Sequence, residues 1–475
     1  MEAPVEVSFG VANFGAVKLG DRRRDRRLVR VADELVRHPD GTWPKKLQRP
    51  ADLKAMYRLM DCDAVTHEAV LAPATARTRQ RMAEAEATVL VIHDWTELDY
   101  TGITSLADVL GQIGNGSRRG YVCANALAVV AETREVLGLA GQILFHRPSI
   151  GKGELPAQRR LRADRESRLW RSASECIAAP AAGRRQVEIT DRGGDVLEFL
   201  DFVESHGKQY LVRSKHDRRV SLGGLDPDTG LPLGDEVLKL HEHARTLTPR
   251  GTYTISVPAR PGQKARLAKI GVAWDRVTLR VPDRPRGETR EVPLEAWIVV
   301  AREIDPPPGA EPIEWLLLTN VPVNKLDDAL ERIRWYECRW IIEEYHKVLK
   351  TGCGIEQMQF TTEARLQPAI ALISATAVQL LNLRDAARRD NAKSVPASNL
   401  FPLLAVIVLS LWRYGERRED LSVHEFCYAL ARLGGHQNRK GDGHPGWITL
   451  WRGWSALQCM LTAAQLLDDE KKRCG

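Results

Sequence analysis

Apolar residues recur at helical spacing through the first 90 residues, over 28–36, 51–60 and 70–83, with a break at His38-Pro39-Asp40-Gly41. At Thr88 the texture changes: TVLVIHD is a β-branched run that predicts a buried strand ending at Asp94. Residues 123–131 and 136–144 flank a turn-like Glu132–Glu135 and predict a hairpin beside that strand. A basic helical stretch, 158–173, leads to QVEITD, a second strand closing on an aspartate, Asp191. Gly193-Gly194 then precede a helix over 196–203. From 209 to about 312 the period is strand-like and rich in Pro and Gly, as at 210–213, 277–281 and 297–300, which predicts a β-rich insertion. EWLLLT at 314–319 resumes the buried-strand pattern. Helices are expected over 326–350, 364–388, 399–414, 423–433 and 450–466. The apolar runs at 368–383 and 400–412 fall short of the roughly 18 residues a membrane span needs, so they read as buried helices and no membrane is expected.

Helices, then mixed strands, then a β-rich stretch, then helices again make a multidomain α/β chain. At 475 residues it is too long for one core, and 43% apolar with 28% charged residues is ordinary globular composition. The formal charge of +7 matters only where it is concentrated: Asp21–Arg30 sets six arginines around two aspartates at the head of the first helix. A solvated helix face is the commoner use of such a run. The eight cysteines form no C-x-x-C pair, which argues against a zinc ribbon or a disulfide framework and for a reducing cytoplasm; no basic-then-apolar secretory segment opens the chain.

Two neighbouring strands that end in Asp94 and Asp191 would place paired carboxylates side by side, a hard oxygen site suited to Mg²⁺ or Mn²⁺. Either aspartate alone is more often a turn or cap residue. Over 326–350, Tyr336, Arg339, Glu343 and Lys350 share one helical face, while Ile342, Tyr345 and Leu349 form an apolar stripe for docking on the sheet. Arg and Lys beside a Glu suit phosphoryl chemistry, although an ordinary salt-bridged surface uses the same spacing. His93 adjoins Asp94, His241 and His243 sit two apart, and His346 follows Glu343 by a turn, but no third ligand recurs at zinc spacing.

The blocks DRGGDxxxF at Asp191–Phe199 and YxxRxxxExxxxxxK at Tyr336–Lys350 resemble the DDE transposases of the insertion-sequence-four family. LGDRRRDRRL from Leu19, YLVRSKH from Tyr210, EWLLLT from Glu314, RWIIEEYHKVLKTG from Arg339 and ARLGG from Ala431 extend the resemblance over nearly the whole chain. It implies a helical N-terminal domain over 1–70 that binds DNA ends. A ribonuclease H-like mixed-sheet catalytic domain would follow over 71–386, with its β insertion at about 209–312, and then a helical dimerisation domain over 387–475. Asp94, Asp191 and Glu343 would be catalytic and bind two Mg²⁺ ions, for which Mn²⁺ substitutes. DNA contacts would come from Tyr336, Arg339, Lys350, Arg213, Lys215, Trp315, Arg22, Arg23, Arg24, Arg26 and Arg27, with Trp315 stacking on a flipped base.

The implied activity is cut-and-paste transposition: nicking, hairpin formation and opening, and strand transfer, by a bacterial homodimer on transposon-end and target DNA. A nuclease without joining activity, or a DNA-binding inhibitor of transposition, are the rival expectations. Two positions depart from the family: Trp95-Thr96 follow the first aspartate where relatives carry two threonines, and Gly193-Gly194 stand where a near relative has Glu-Ala.

Overall fold

The β-branched runs form strands that join in one mixed sheet: β1 (Val89–Asp99), β2 (Gly111–Gln112), β3 (Arg119–Val130), β4 (Val136–Phe145), β5 (Gln186–Thr190), β6 (Gln209–Arg213), β7 (Arg219–Leu222), β8 (Val237–Lys239), β9 (Gly251–Val257), β10 (Arg266–Leu279), β11 (Leu294–Glu303) and β12 (Glu314–Thr319). The computed structural model describes residues 8–38, 41–148, 153–234, 236–259, 264–281, 293–439 and 442–474. The strand order is β2-β3-β1-β5-β6-β12-β11-β10-β7-β8, with β4 also on β3 and β9 on β10. β1, β5 and β6 run parallel, and the other pairings are antiparallel. The strands between β6 and β12 extend this same sheet, and β6 itself pairs with β5.

Helices bracket the sheet in both directions along the chain. Asp21 caps helix Arg22–Arg37 by accepting from the Arg23 N–H at 2.7 Å, and Thr66 caps His67–Glu84 in the same way. Helix Glu363–Arg388 packs against His67–Glu84, Arg22–Arg37, β4 and the C-terminal helices Val423–Leu433 and Trp447–Cys474. Its stretch Glu363–Ala386 is long and apolar enough to cross a membrane, longer than the run read from sequence, but 83% of its most apolar window is buried inside the protein. Burial rather than length identifies it as a core helix.

The N-terminal helices and the central strands share one hydrophobic cluster, from Phe14 and Leu28 to Leu90, Ile342 and Leu372. A buried lysine ties the two regions together: Lys46, 2% exposed, donates from Nζ to the Cys353 carbonyl at 2.9 Å. Trp43 and Tyr57 meet Phe360 edge-on beside it.

Two long helices expected from sequence are broken. The segment expected over 326–350 consists of Leu326–Glu337, Trp340–Lys347 and a π-turn at Val348–Gly352. At the junction the N–H groups of Arg339, Ile341 and Ile342 reach back only three residues, to Tyr336, Cys338 and Arg339. That tightening is a 3₁₀-type bend. The stretch expected over 158–173 divides into Pro156–Leu161 and Leu169–Glu175, separated by a loop in which Arg162 pairs with Asp164 and Glu154.

Candidate active site

Parallel pairing of β1 with β5 runs from Val89↔Gln186 to Ile92↔Ile189, and Asp94 and Asp191 each lie two residues further on, level with one another. The expectation that both strands end there holds only for β5. β1 continues to Asp99, paired with β3 as far as Asp99↔Gly120, so Asp94 sits in mid-strand opposite Asn125. The physical reason is that β3 keeps supplying hydrogen bonds after β5 has turned away. The side of β1 toward β5 thus becomes an open ledge.

Backbone N–H groups hold both aspartates. Trp95 donates to Asp94 Oδ1 at 2.8 Å and Gly193 to Asp191 Oδ1 at 2.7 Å, the latter as the cap of a single 3₁₀ turn. Glu343 approaches from the first turn of Trp340–Lys347, a helix anchored by the fully buried Ile342 and Tyr345, with Leu349 just beyond. Three such side chains contribute roughly 1.5–3 kcal/mol each in hydrophobic burial, enough to fix the helix on the sheet.

Arg339 links two of the acids. It donates to Glu343 Oε1 at 2.7 Å and lies 3.7 Å from Asp94 Oδ2, with its side chain 9% exposed. Burial works against its charge, but the Glu343 hydrogen bond and the charges around it prevail and raise its pKa. Burial, then the neighbouring charge of Asp191, push Asp94 up to about 6; the Trp95 N–H and Arg339 oppose the rise and Glu343 adds to it. A crowded anionic site with one bridging cation is the result.

Arg213, Tyr336 and Trp315 join this group. Burial raises the Tyr336 phenol while Arg339 and Arg213 hold it down and Asp191 pushes it up, and burial then Arg192 lower the Arg213 pKa. Trp315 packs edge-on against Tyr336 at 5.1 Å. Lys350, on the π-turn, pairs with Glu356 at 3.2 Å. The Lys215 side chain is exposed, and its backbone N–H is held by the buried Asp195 carboxylate at 2.7 Å.

The arginine cluster is divided in its roles. Arg24 donates to the Leu19 carbonyl and Arg27 pairs with Asp52, whereas Arg22, Arg23 and Arg26 are exposed and make no ion pair among the described residues.

Several supporting residues escaped sequence reasoning. Behind the ledge, the fully buried Glu188 lies 3.2 Å from Lys208 Nζ and accepts from Ser174 Oγ at 2.8 Å; His93 Nε2 is 3.1 Å away without hydrogen-bond alignment. Burial opposes the Glu188 charge, but His93 and Lys208 outweigh it and lower its pKa. On the other face, Gln142 donates to Asn125 Oδ1 at 2.7 Å and meets His67 at 2.9 Å, and Asn125 reaches His346 at 3.2 Å. Trp170 lies against Trp95 and Gly193. Only the alternation that places His93 and Glu188 on the face opposite the aspartates was available as a signal beforehand.

Among the described residues, no three His, Cys, Asp or Glu side chains are gathered as a preformed metal cage.

Residues 8–65 match the family model described as Transposase DNA-binding, and residues 177–380 match that of the Transposase DDE domain.

Proposed function

We propose that this chain, which carries a transposase DNA-binding domain and a transposase DDE domain, is a cut-and-paste DNA transposase of the insertion-sequence-four type. The observation that carries the reading is the gathering of Asp94, Asp191 and Glu343, from two strands and a helix: the charges of Asp191 and Glu343 both act on Asp94, and Arg339 links Asp94 to Glu343. The strand order β4-β3-β1-β5-β6, antiparallel then parallel, supports a ribonuclease H-like core. So does the position of the carboxylates at the carboxyl end of β5.

Divalent metal ions are implied for such a site, and the donors fit them. All three are carboxylates, the hard oxygen ligands that Mg²⁺ and Mn²⁺ prefer, and Asp94, its pKa raised first by burial and then by the charge of Asp191, lies beside other negative charge that a cation would offset. Asp94, Asp191 and Glu343 would hold two ions. Bound there, they would supply activation of the attacking hydroxyl and stabilisation of the leaving oxygen in phosphoryl transfer.

The chain's own residues do the rest. Arg339, released from Glu343, turns its planar fork to a phosphate, and Arg213 and Tyr336 lie beside it to orient the same strand. Lys215 and Lys350 extend the cationic track. The half-buried face of Trp315, held edge-on by Tyr336, offers a stacking surface for a base displaced during hairpin formation. Arg22, Arg23 and Arg26 are the arginines of the first cluster left free for DNA-end phosphates. Apolar side chains exposed along Leu403–Tyr414, among them Leu403, Leu404, Leu411 and Trp412, suit a second copy of the chain in a bacterial, cytoplasmic homodimer.

The test is incubation with Mg²⁺ and labelled DNA bearing the inverted repeats that flank the gene, with Glu343→Ala as control. Hairpins and strand-transfer products that vanish in the control are expected. Nicks without joining would instead indicate a nuclease, and binding without cutting an inhibitor of transposition.

A further inference from the structure

The two departures from the family pattern meet in one place. Trp170, 2% exposed on helix Leu169–Glu175, packs against Trp95 with ring centroids 3.9 Å apart at 40°. Its Cζ2 edge lies over Gly193, where a Cβ would sit 2.9 Å from that atom and 2.9 Å from Asp191 Oδ1. Phe199 backs the indole at 6.4 Å, within a cluster that includes Leu200 and Val203. The residues seated on this ring are the same ones whose backbone N–H groups grip the aspartates: Trp95 holds Asp94 at 2.8 Å and Gly193 holds Asp191 at 2.7 Å.

We propose that Trp170 is a positioning residue that sets the separation of the Asp94 and Asp191 carboxylates. Two adjacent carboxylates repel, and nothing in their own hydrogen bonds relates one to the other. A rigid indole held between the Trp95 ring and the Gly193 backbone does relate them. The stack carries the indole edge to where any side chain at 193 would stand, so glycine suits that position. The proposal rests on the reading of Asp94 and Asp191 as metal ligands, for which the distance between the carboxylates would govern how tightly cations are held.

The test uses the full chain as wild type, Trp170→Leu, Trp170→Phe, Gly193→Ala and the Trp170→Leu/Gly193→Ala double variant. Mn²⁺ binding is followed by electron paramagnetic resonance, alongside melting, end-DNA binding and cleavage. Trp170→Leu is expected to melt cooperatively and bind end DNA as wild type does, yet bind Mn²⁺ about tenfold or more weakly, the usual effect of removing a support behind a metal ligand. Cleavage should fall and recover in part at high Mn²⁺, and Trp170→Phe should lie between. Gly193→Ala should weaken Mn²⁺ binding less in the Trp170→Leu background than alone, because without the ring the turn can give way and only the contact with Asp191 Oδ1 remains.

Wild-type Mn²⁺ affinity and cleavage in Trp170→Leu would overturn the proposal. Should that variant fail to fold, unchanged Mn²⁺ affinity in both Trp170→Phe and Gly193→Ala would do the same. If the wild-type protein itself binds no Mn²⁺ and cuts no DNA, the reading of the site falls, and the positioning role with it.

Discussion

Gly194 offers a test in which the perturbation is one methyl group. It closes the 3₁₀ turn that follows Asp191, and its backbone suits any residue, so alanine there acts by volume alone. The added Cβ would lie 2.8 Å from Thr190 Cγ2 and closer still to Thr190 Oγ1 and Cβ. Rotation of the threonine can move Oγ1 and Cγ2 but not Cβ, and Thr190 is fully buried in β5. Ordinary carbon contacts need about 3.5–4.0 Å, so the turn must shift by roughly 1 Å. Overpacking of this kind costs about 1–3 kcal/mol, a few degrees of melting temperature. The shift carries Asp191 with it, and a displacement of about 1 Å at a reacting centre costs on the order of 10²-fold in rate. The assay is metal-dependent strand cleavage at saturating DNA, with melting in parallel. Gly102→Ala, with nothing within 4 Å of the new methyl, serves as the neutral comparison. A Gly194→Ala protein that cuts and melts like Gly102→Ala would refute the steric argument.

Lys208→Met strips the buried Glu188 of its lysine partner and should cost about 3–5 kcal/mol in denaturant titration, against which a loss below about 1 kcal/mol would count. Burial, then the charge of Lys350, lower His346 to about 3 from 6.5, so between those values the unfolded chain binds a proton that the folded one does not. Stability should therefore fall as pH drops from about 6.5 toward 3, and His346→Gln should flatten that acid limb in thermal melts; an unaltered limb contradicts the assignment. Reversing Arg22, Arg23 and Arg26 to glutamate should weaken end binding and lower its salt slope by about 0.9 per lost phosphate contact, with melting unchanged; wild-type affinity would mean those side chains only face solvent.

The elements that could be read in advance carry their signal locally. β1 and β5 are β-branched and the core helix 363–388 is mostly apolar between Pro368 and Leu383, so pattern found them. The bend at Arg339 was invisible because Cys338 and Arg339 have nothing against a helix; it is the surrounding tertiary contacts, with Arg339 turned to Asp94 and Glu343, that accompany the tighter turn. The mid-strand position of Asp94 depends on how far β3 accompanies β1, a pairing between distant segments. Spacing brought Glu343 and Arg339 together, but the contact between Trp170 and Gly193 spans loops and has no period to betray it. In the arginine cluster, sequence could not distinguish Arg27, occupied by Asp52, from the exposed Arg26.

The buried bond from Lys46 to Cys353 also sets a timetable. Its two ends are 307 residues apart, and ribosomes add about 5–20 residues per second, so some 15–60 seconds of translation separate the lysine from its acceptor. Through that interval Trp43 and the apolar faces of the first helices lack the surface that finally covers them. The packing of the N-terminal helices is completed only once Cys353 and Phe360 have emerged.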